Sequence, residues 1–280
     1  MKILFITRDS ERCGVADYGR RLFSILKPAL DITLHESDGV SPINYEGYDV
    51  ALYNYHHATL PNVDCFNRNI KHVALFHEAF MNITPDVIIR VAGIARPLIG
   101  NYYAEKPLNR IPVIGSFGFG FPDKNFPGIA KLVTEQFKEA RLRLNIPFAE
   151  FGDNDGAMAR NEAYKCQQVI QGTAITLEVN HNFLSQTELL EWNRANDLNV
   201  FLYADSHGRG ISSATDYALS VRRPIAISRS EMFKHLPREI CVDNATLPDL
   251  LEYGVEFLNT VYLQNTNERL INQITEYLNK

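Results

Sequence analysis

Residues 198–228, LNVFLYADSHGRGISSATDYALSVRRPIAIS, admit few backbone arrangements. Asn199 to Ala204 is an apolar run long enough for a strand buried on both faces. A polar segment from Asp205 to Gly210 follows, with glycines at positions 208 and 210. Ile211, Ala214, Ala218, Leu219 and Val221 then recur at helical spacing, and Ser212 and Ser213 are placed to cap that helix. Pro224 stands at the mouth of the next apolar run, PIAIS, where a strand tolerates proline. A buried strand, a glycine loop and a serine-rich helix start offer free N–H groups and a positive dipole end to an anion. An ordinary βαβ turn with permissive glycines fits the same spacing, so spacing alone leaves both readings open.

The rest of the chain repeats the alternation. Strands are expected at Lys2–Thr7, Asp31–His35, Tyr48–Tyr53 and His72–Phe76, with a helix from Gly14 whose stripe is Val15, Tyr18, Leu22, Phe23 and Leu26. The run 86–100, DVIIRVAGIARPLIG, reads as a helix bent or ended by Pro97. A polar stretch near Pro107 marks a boundary, giving two α/β domains, 1–108 and 109–280, with the last helix free to return to the first. In the second domain strands are expected at Ile111–Gly115, within 142–151, at Ile175–Val179 and at Ile240–Asp243. Helices are expected at Gly156–Gln171, Gln186–Ala195, Leu247–Leu263 and Asn267–Leu278. In mostly parallel sheets ligands bind beyond the carboxyl ends of the strands. Those ends carry Arg8–Gly14, Asn54–Thr59 and His77–Phe80.

Composition removes several classes. With 45% hydrophobic and 22% charged residues in 280, the chain has enough apolar material for two folded domains. A net charge of −5 excludes a dedicated nucleic-acid binder. No run reaches the ~18 apolar residues of a membrane span, and residues 3–7 read as a first strand, too short for a signal-peptide core. Cys13, Cys65, Cys166 and Cys241 are far apart, which fits reduced thiols in a cytoplasmic protein.

Several polar groups invite functional readings. His77 at a strand end is either a cleft residue or a histidine bonded to backbone. His56, His57 and His72 suggest a metal cluster by number, but no ligand spacing such as H-E-x-x-H supports it, so no metal is expected. Gly115, Gly118 and Gly120 are spaced wrongly for a dinucleotide fingerprint, which excludes a dehydrogenase. Asp153-Asn154-Asp155 lacks the acids of an EF-hand, and its composition is that of a turn.

Three segments resemble GT-B glycosyltransferases, especially the retaining group that uses nucleotide-sugars: CGVADYGRRL after the first strand, VALFHE ending in His-Glu, and the unit at 198–228 with ALSVRRPIAIS. The resemblance implies two Rossmann-like domains facing across a cleft, the first shortened and holding the acceptor, the second holding the donor. It implies metal-independent transfer of a sugar from a nucleotide-sugar, a substrate and not a cofactor, to a saccharide or other hydroxyl acceptor. It puts Gly14 and Asp17 at the acceptor side and His77 beside the transferred sugar. Lys124 matches the lysine that grips the donor phosphates, Phe183 and Leu184 pack on the base, and Gly208, Arg209, Gly210, Ser212 and Ser213 hold the diphosphate. The family's pair of glutamates seven residues apart is missing. The nearest acids are Asp205 and Asp216, of which Asp216 is the catalytic candidate, and Tyr217 stands where the second glutamate would align. That departure keeps open a non-catalytic sugar-nucleotide or partner binder, and a sugar-nucleotide epimerase is a further alternative. The single-domain GT-A reading of Asp153 and Asp155 leaves all three segments unexplained.

Overall fold

The structure, a computed structural model, describes residues 1–61, 63, 69–78, 83–99, 108–205, 208 and 210–280. It divides into two units. The first comprises Met1–Leu98, His207–Ser213 and Leu263–Lys280, and the second Ile99–Ser206 and Ala214–Tyr262. The division falls at Leu98/Ile99, where the sequence suggested 108/109, and the C-terminal segment belongs to the first unit.

The first unit holds β1 (Ile3–Arg8), α1 (Gly14–Leu26), β2 (Ile32–Ser37), β3 (Val50–Tyr55), β4 (Lys71–Phe76) and β5 (Val87–Arg90). Its sheet is parallel throughout, in the order β2-β1-β3-β4-β5. β3 and β4 are almost wholly buried, as continuous apolar runs in a parallel sheet must be. The expected helix over 86–100 is instead this edge strand followed by a 3-10 turn, Val91–Gly93. The β-branched VIIR segment pairs with β4, Val73 to Val87, and the tertiary pairing overrides a helical reading of its apolar spacing.

The second unit contains β6 (Val113–Phe117), α2 (Phe126–Gln136), β7 (Ala140–Asn145), α3 (Ala157–Ile170), β8 (Ile175–Asn180), α4 (Gln186–Ala195), β9 (Leu198–Phe201), α5 (Ala214–Ser220), β10 (Ile225–Ile227) and α6 (Leu247–Phe257). Its parallel sheet runs β10-β9-β6-β7-β8. α4 starts on a capping box in which the Ser185 hydroxyl accepts from the Glu188 amide and the Glu188 carboxylate answers the Ser185 amide. The strand expected at Ile240–Asp243 is only an isolated bridge from Ile227 to Cys241, preceded by a 3-10 turn. α7 (Asn259–Gln264) interrupts the single helix expected over 247–263, and α8 (Asn267–Leu278) closes the chain. α8 buries Leu270, Ile274 and Leu278 against Tyr18, Leu22 and Leu26 of α1, which is what returns it to the first unit.

Each sheet has a switch point, where the strand order reverses: between β1 and β3 in the first, between β6 and β9 in the second. Open α/β sheets bind ligands at the carboxyl ends of those strands. Gly14 lies beyond β1, His77 directly beyond β4 and Lys124 beyond β6, while Phe183 and Leu184 follow the edge strand β8.

Candidate functional site

In the first unit the switch point is organised by Asn54, a fully buried amide near the end of β3. Its nitrogen donates to the Thr7 hydroxyl on β1 (2.9 Å) and to the Val15 carbonyl in α1 (2.7 Å). Both amide hydrogens are thereby committed, so the 2.6 Å contact between Asn54 Oδ1 and His77 Nε2 requires the histidine to donate. The neutral ring then carries its proton on Nε2 and its lone pair on Nδ1. Tyr18 packs edge-on against that ring, with centroids 4.8 Å apart. His77 is thus an imidazole oriented by a side-chain bond to Asn54.

The glycine loop meets this histidine. A Cβ on Gly210 would overlap the His77 carbonyl oxygen, so glycine is required there by the closeness of two backbones. Gly208 in this loop has a left-handed backbone, with φ of 79°. Ser212 is buried, and the Ser213 hydroxyl lies 3.8 Å from where a Cβ on Gly14 would stand. The loop therefore brings Gly14, at the first turn of α1, together with Ser213. Asp17, one turn on, accepts from Nε of Arg21 at 3.1 Å, and the buried Arg21 also donates to the Pro97 carbonyl. Arg209 lies outside the described residues.

In the second unit the loop after β6 is tied to the end of β9, because the Ala204 amide donates to the Asp123 carbonyl at 2.8 Å. This lays the ammonium of Lys124 over the Tyr203 ring, 3.7 Å from its centroid. Tyr203 is itself buried against Phe233, so the cation sits on a fixed aromatic face. Phe183, exposed after β8, stacks on Phe119 with rings 21° apart, and Phe119 in turn touches Phe121 and Phe151. Leu184 beside it is half-buried. The sequence reading had Phe183 but not this group of four phenylalanines, which come from three different loops. Asp216, in the first turn of α5, is fully buried. α5 itself is only seven residues long and starts at Ala214, directly after the Ser212 and Ser213 expected to cap it.

Asp153 and Asp155 serve α3. The buried Asp153 carboxylate accepts from the Met158 and Ala159 amides, and Asp155 accepts from Ala157. Two carboxylates of the Asp-x-Asp are thereby used as helix-start acceptors. His72 is likewise engaged elsewhere: its Nδ1 contacts the Tyr53 hydroxyl at 2.8 Å and its ring stacks on Tyr53. A cavity of about 540 Å³ lined by Asp49, Lys71, His72, Asp86 and Lys280 opens at the amino ends of β3 and β4, opposite the switch point.

The sequence matches no protein-family profile and no curated protein sequence. Solved structures do match. Anabaena Alr3699/HepE in complex with UDP-glucose aligns over 100% of this chain and 99% of its own, at 12% identity and a TM-score of 0.72. The E. coli trehalose-6-phosphate structure bound with UDP-2-fluoro glucose covers 99% of both chains at 11% identity and a TM-score of 0.64. AviGT4, a glycosyltransferase involved in avilamycin A biosynthesis, covers 99% of this chain and 96% of that one at 10% identity and a TM-score of 0.61. The fold is GT-B. Identity this low carries the GT-B architecture and no residue roles. Among the described residues no helix is long and apolar enough to cross a membrane.

Proposed function

We propose that this protein transfers a sugar from a nucleotide-sugar donor to an acceptor hydroxyl, without a metal ion in the chemical step. One observation carries the reading: the whole chain aligns, end to end, with GT-B proteins solved with UDP-glucose or its 2-fluoro analogue. The residues at the switch points suit the task. Lys124, held on Tyr203, supplies a point charge to the diphosphate, which gains negative charge as the glycosidic bond breaks. The stacked Phe183 and Phe119 offer an aromatic platform to the base. His77, fixed by Asn54, orients the transferred sugar, and the amides around Gly208 to Ser213 contribute donors to the phosphates. Gly14 and Asp17 lie on the acceptor side. Asp216, being buried, acts as a positioning residue. Metal independence is supported by Asp153 and Asp155, whose carboxylates are spent on α3.

A non-catalytic GT-B binder has one observation in its favour, the absence of the glutamate pair beside a buried Asp216. Turnover separates the two. Incubation with a panel of nucleotide-sugars should release nucleoside diphosphate, slowly as hydrolysis and faster with an acceptor. An epimerase would convert the donor with no release. Lys124→Ala should weaken donor binding by about ten- to hundredfold, the worth of one charge-assisted contact. His77→Ala should lower turnover far more than donor affinity. Binding without any release would establish the non-catalytic reading, and a strict manganese requirement lost with Asp153→Asn would overturn metal independence. A cytoplasmic location belongs to the same proposal, supported by the free thiols of Cys13, Cys166 and Cys241.

A further inference from the structure

The carboxyl ends of β3 and β4 bring together three side chains that the transfer reaction does not use. The parallel register pairs Tyr55 with Phe76, so the next residues, His56 and His57, run beside His77 and Glu78. A backbone bond from the His77 amide to the Tyr55 carbonyl holds the two ends together. Beyond it the chain turns sharply, with the Thr59 and Leu60 amides both donating to the His56 carbonyl. That turn stacks the two imidazoles, with ring centroids 4.7 Å apart and planes 19° from parallel. Both rings face one carboxylate: His56 Nε2 is 3.3 Å from Glu78 Oε1 and His57 Nδ1 is 3.7 Å from Glu78 Oε2.

We propose that His56, His57 and Glu78 bind a divalent first-row transition-metal ion, Zn²⁺ being the best fit. One ligand atom from each lies within 4.8 Å of the others, and among the described residues these three form such a group. Tetrahedral bonds of about 2.0–2.1 Å put neighbouring ligand atoms about 3.3 Å apart. The His56–Glu78 separation already has that value, while the remaining separations, within 4.8 Å, call for rotation of the exposed His57 ring to bring its ligand atom closer. Two imidazoles and one carboxylate are the donor set of open zinc sites and of other late first-row ions, whereas Mg²⁺ and Ca²⁺ require oxygen ligands. Partial exposure of all three side chains, His57 the most at 44%, leaves room for water in the remaining positions. One local bond opposes binding. The Ala58 amide donates to His56 Nδ1 at 3.2 Å, which puts the ring proton on Nε2. Ligation through Nε2 moves that proton to Nδ1 and breaks this long bond. The ion would clip the ends of β3 and β4 together one residue beyond His77, while the Asn54–His77 bond stays intact, so the site is a clip and not part of the transfer chemistry.

The test uses tag-free protein and Co²⁺ and Zn²⁺ as probes. Wild type should bind one equivalent of Zn²⁺ by calorimetry, show cobalt d–d bands in the visible, and unfold at higher temperature with Zn²⁺ than without. Since losing a mere supporting group costs 10–100-fold in affinity, His57→Ala and the isosteric Glu78→Gln should each weaken binding by at least about tenfold. His35→Ala, remote from the site, should bind like wild type. Mg²⁺ should not shift the transition. Absence of saturable Zn²⁺ binding by wild type overturns the proposal. So does wild-type affinity in both folded variants, or a response to Mg²⁺ equal to that to Zn²⁺.

Discussion

Replacing Gly210 by alanine tests the central local claim of the structure, that the glycine loop rests against the end of β4. The added methyl would overlap the carbonyl oxygen of His77. Both partners are main chain, so no side-chain rotation relieves the contact and one backbone must shift. Inserting a methyl group into a closed contact of this kind costs about 1–3 kcal/mol. Two neighbouring glycines serve as internal comparisons. At Gly14 the nearest atom to an added Cβ is the Ser213 hydroxyl at 3.8 Å, an ordinary contact, and the residue opens a 13-residue helix. Gly14→Ala should therefore be neutral or stabilising by no more than about 0.5–1 kcal/mol. Gly208, at φ of 79°, lies in the left-handed region, and alanine there should cost about 1–2 kcal/mol through its own backbone. The expected order of stability is thus Gly14→Ala highest, then wild type, with Gly208→Ala and Gly210→Ala below.

Urea unfolding gives the stabilities, with an unchanged m value as the sign that the unfolded state is not what moved. Calorimetric titration with whichever nucleotide-sugar the wild type binds adds the functional arm: a loop displaced from His77 should bind that ligand more weakly. If Gly210→Ala unfolds within about 0.5 kcal/mol of wild type at the same m value, the loop does not sit on His77, and the geometry argued for this switch point is wrong.

Other consequences are open to direct measurement. Asp153→Ala should lower stability by about 1.5–3 kcal/mol in the same urea assay, since a buried carboxylate loses two amide bonds at the start of α3; a neutral result would free Asp153 for another role. Burial, reinforced by Glu162, pushes the Cys166 thiol up to about 12, so iodoacetamide at pH 8 should label Cys166 only on unfolding, as read by mass spectrometry, while the half-buried Cys13 is open to earlier attack. The Ser41 hydroxyl, with the Ser41 and Val40 amides, holds Asp38 down at about 2. A depressed carboxylate stabilises the fold above its ordinary range and loses that contribution as pH falls towards 2, so Ser41→Ala should move the NMR titration of Asp38 upward and weaken acid resistance between pH 4 and about 2.

Much of the fold was legible because its signals were local. Apolar runs at 50–55, 71–76 and 113–117 became buried parallel strands, and the helix expected at Gln186–Ala195 has those bounds in the structure. The failures share a cause of the opposite kind. VIIR at 87–90 carries β-branched residues that suit a strand, but it lies within an apolar run that also fits a helix, and pairing with β4 decided the matter. Residues 240–243 met only one bridging partner, Ile227, and stayed a turn. The return of the C-terminal helix to the first unit, by contrast, was allowed for in the sequence, and it rests on a stripe of Leu270, Ile274 and Leu278 that finds α1, some 250 residues distant in the chain.

The site divides along the same line. His77, Gly14 and Lys124 each sit at a strand end that the pattern marked, so their positions were readable one at a time. What they do there depends on partners that no spacing reveals. Asn54 looks like one polar residue in an apolar run, yet by donating twice it leaves its oxygen to accept from His77, so Nε2 is the donor. His56 and His57 carry no metal spacing because their third partner, Glu78, is supplied by parallel pairing across the gap from β3 to β4. Register is the missing quantity. A slip of one residue between β3 and β4 would turn Glu78 to the other face of the sheet and separate it from both imidazoles. The buried alternation of β3 and β4 forbids that slip, since it would drive Tyr53, Tyr55 and Phe76 out of their core and into the opposite face. The apolar packing of two strands therefore fixes the geometry of the polar groups at their ends, which is how a core with no chemistry of its own determines where the chemistry stands.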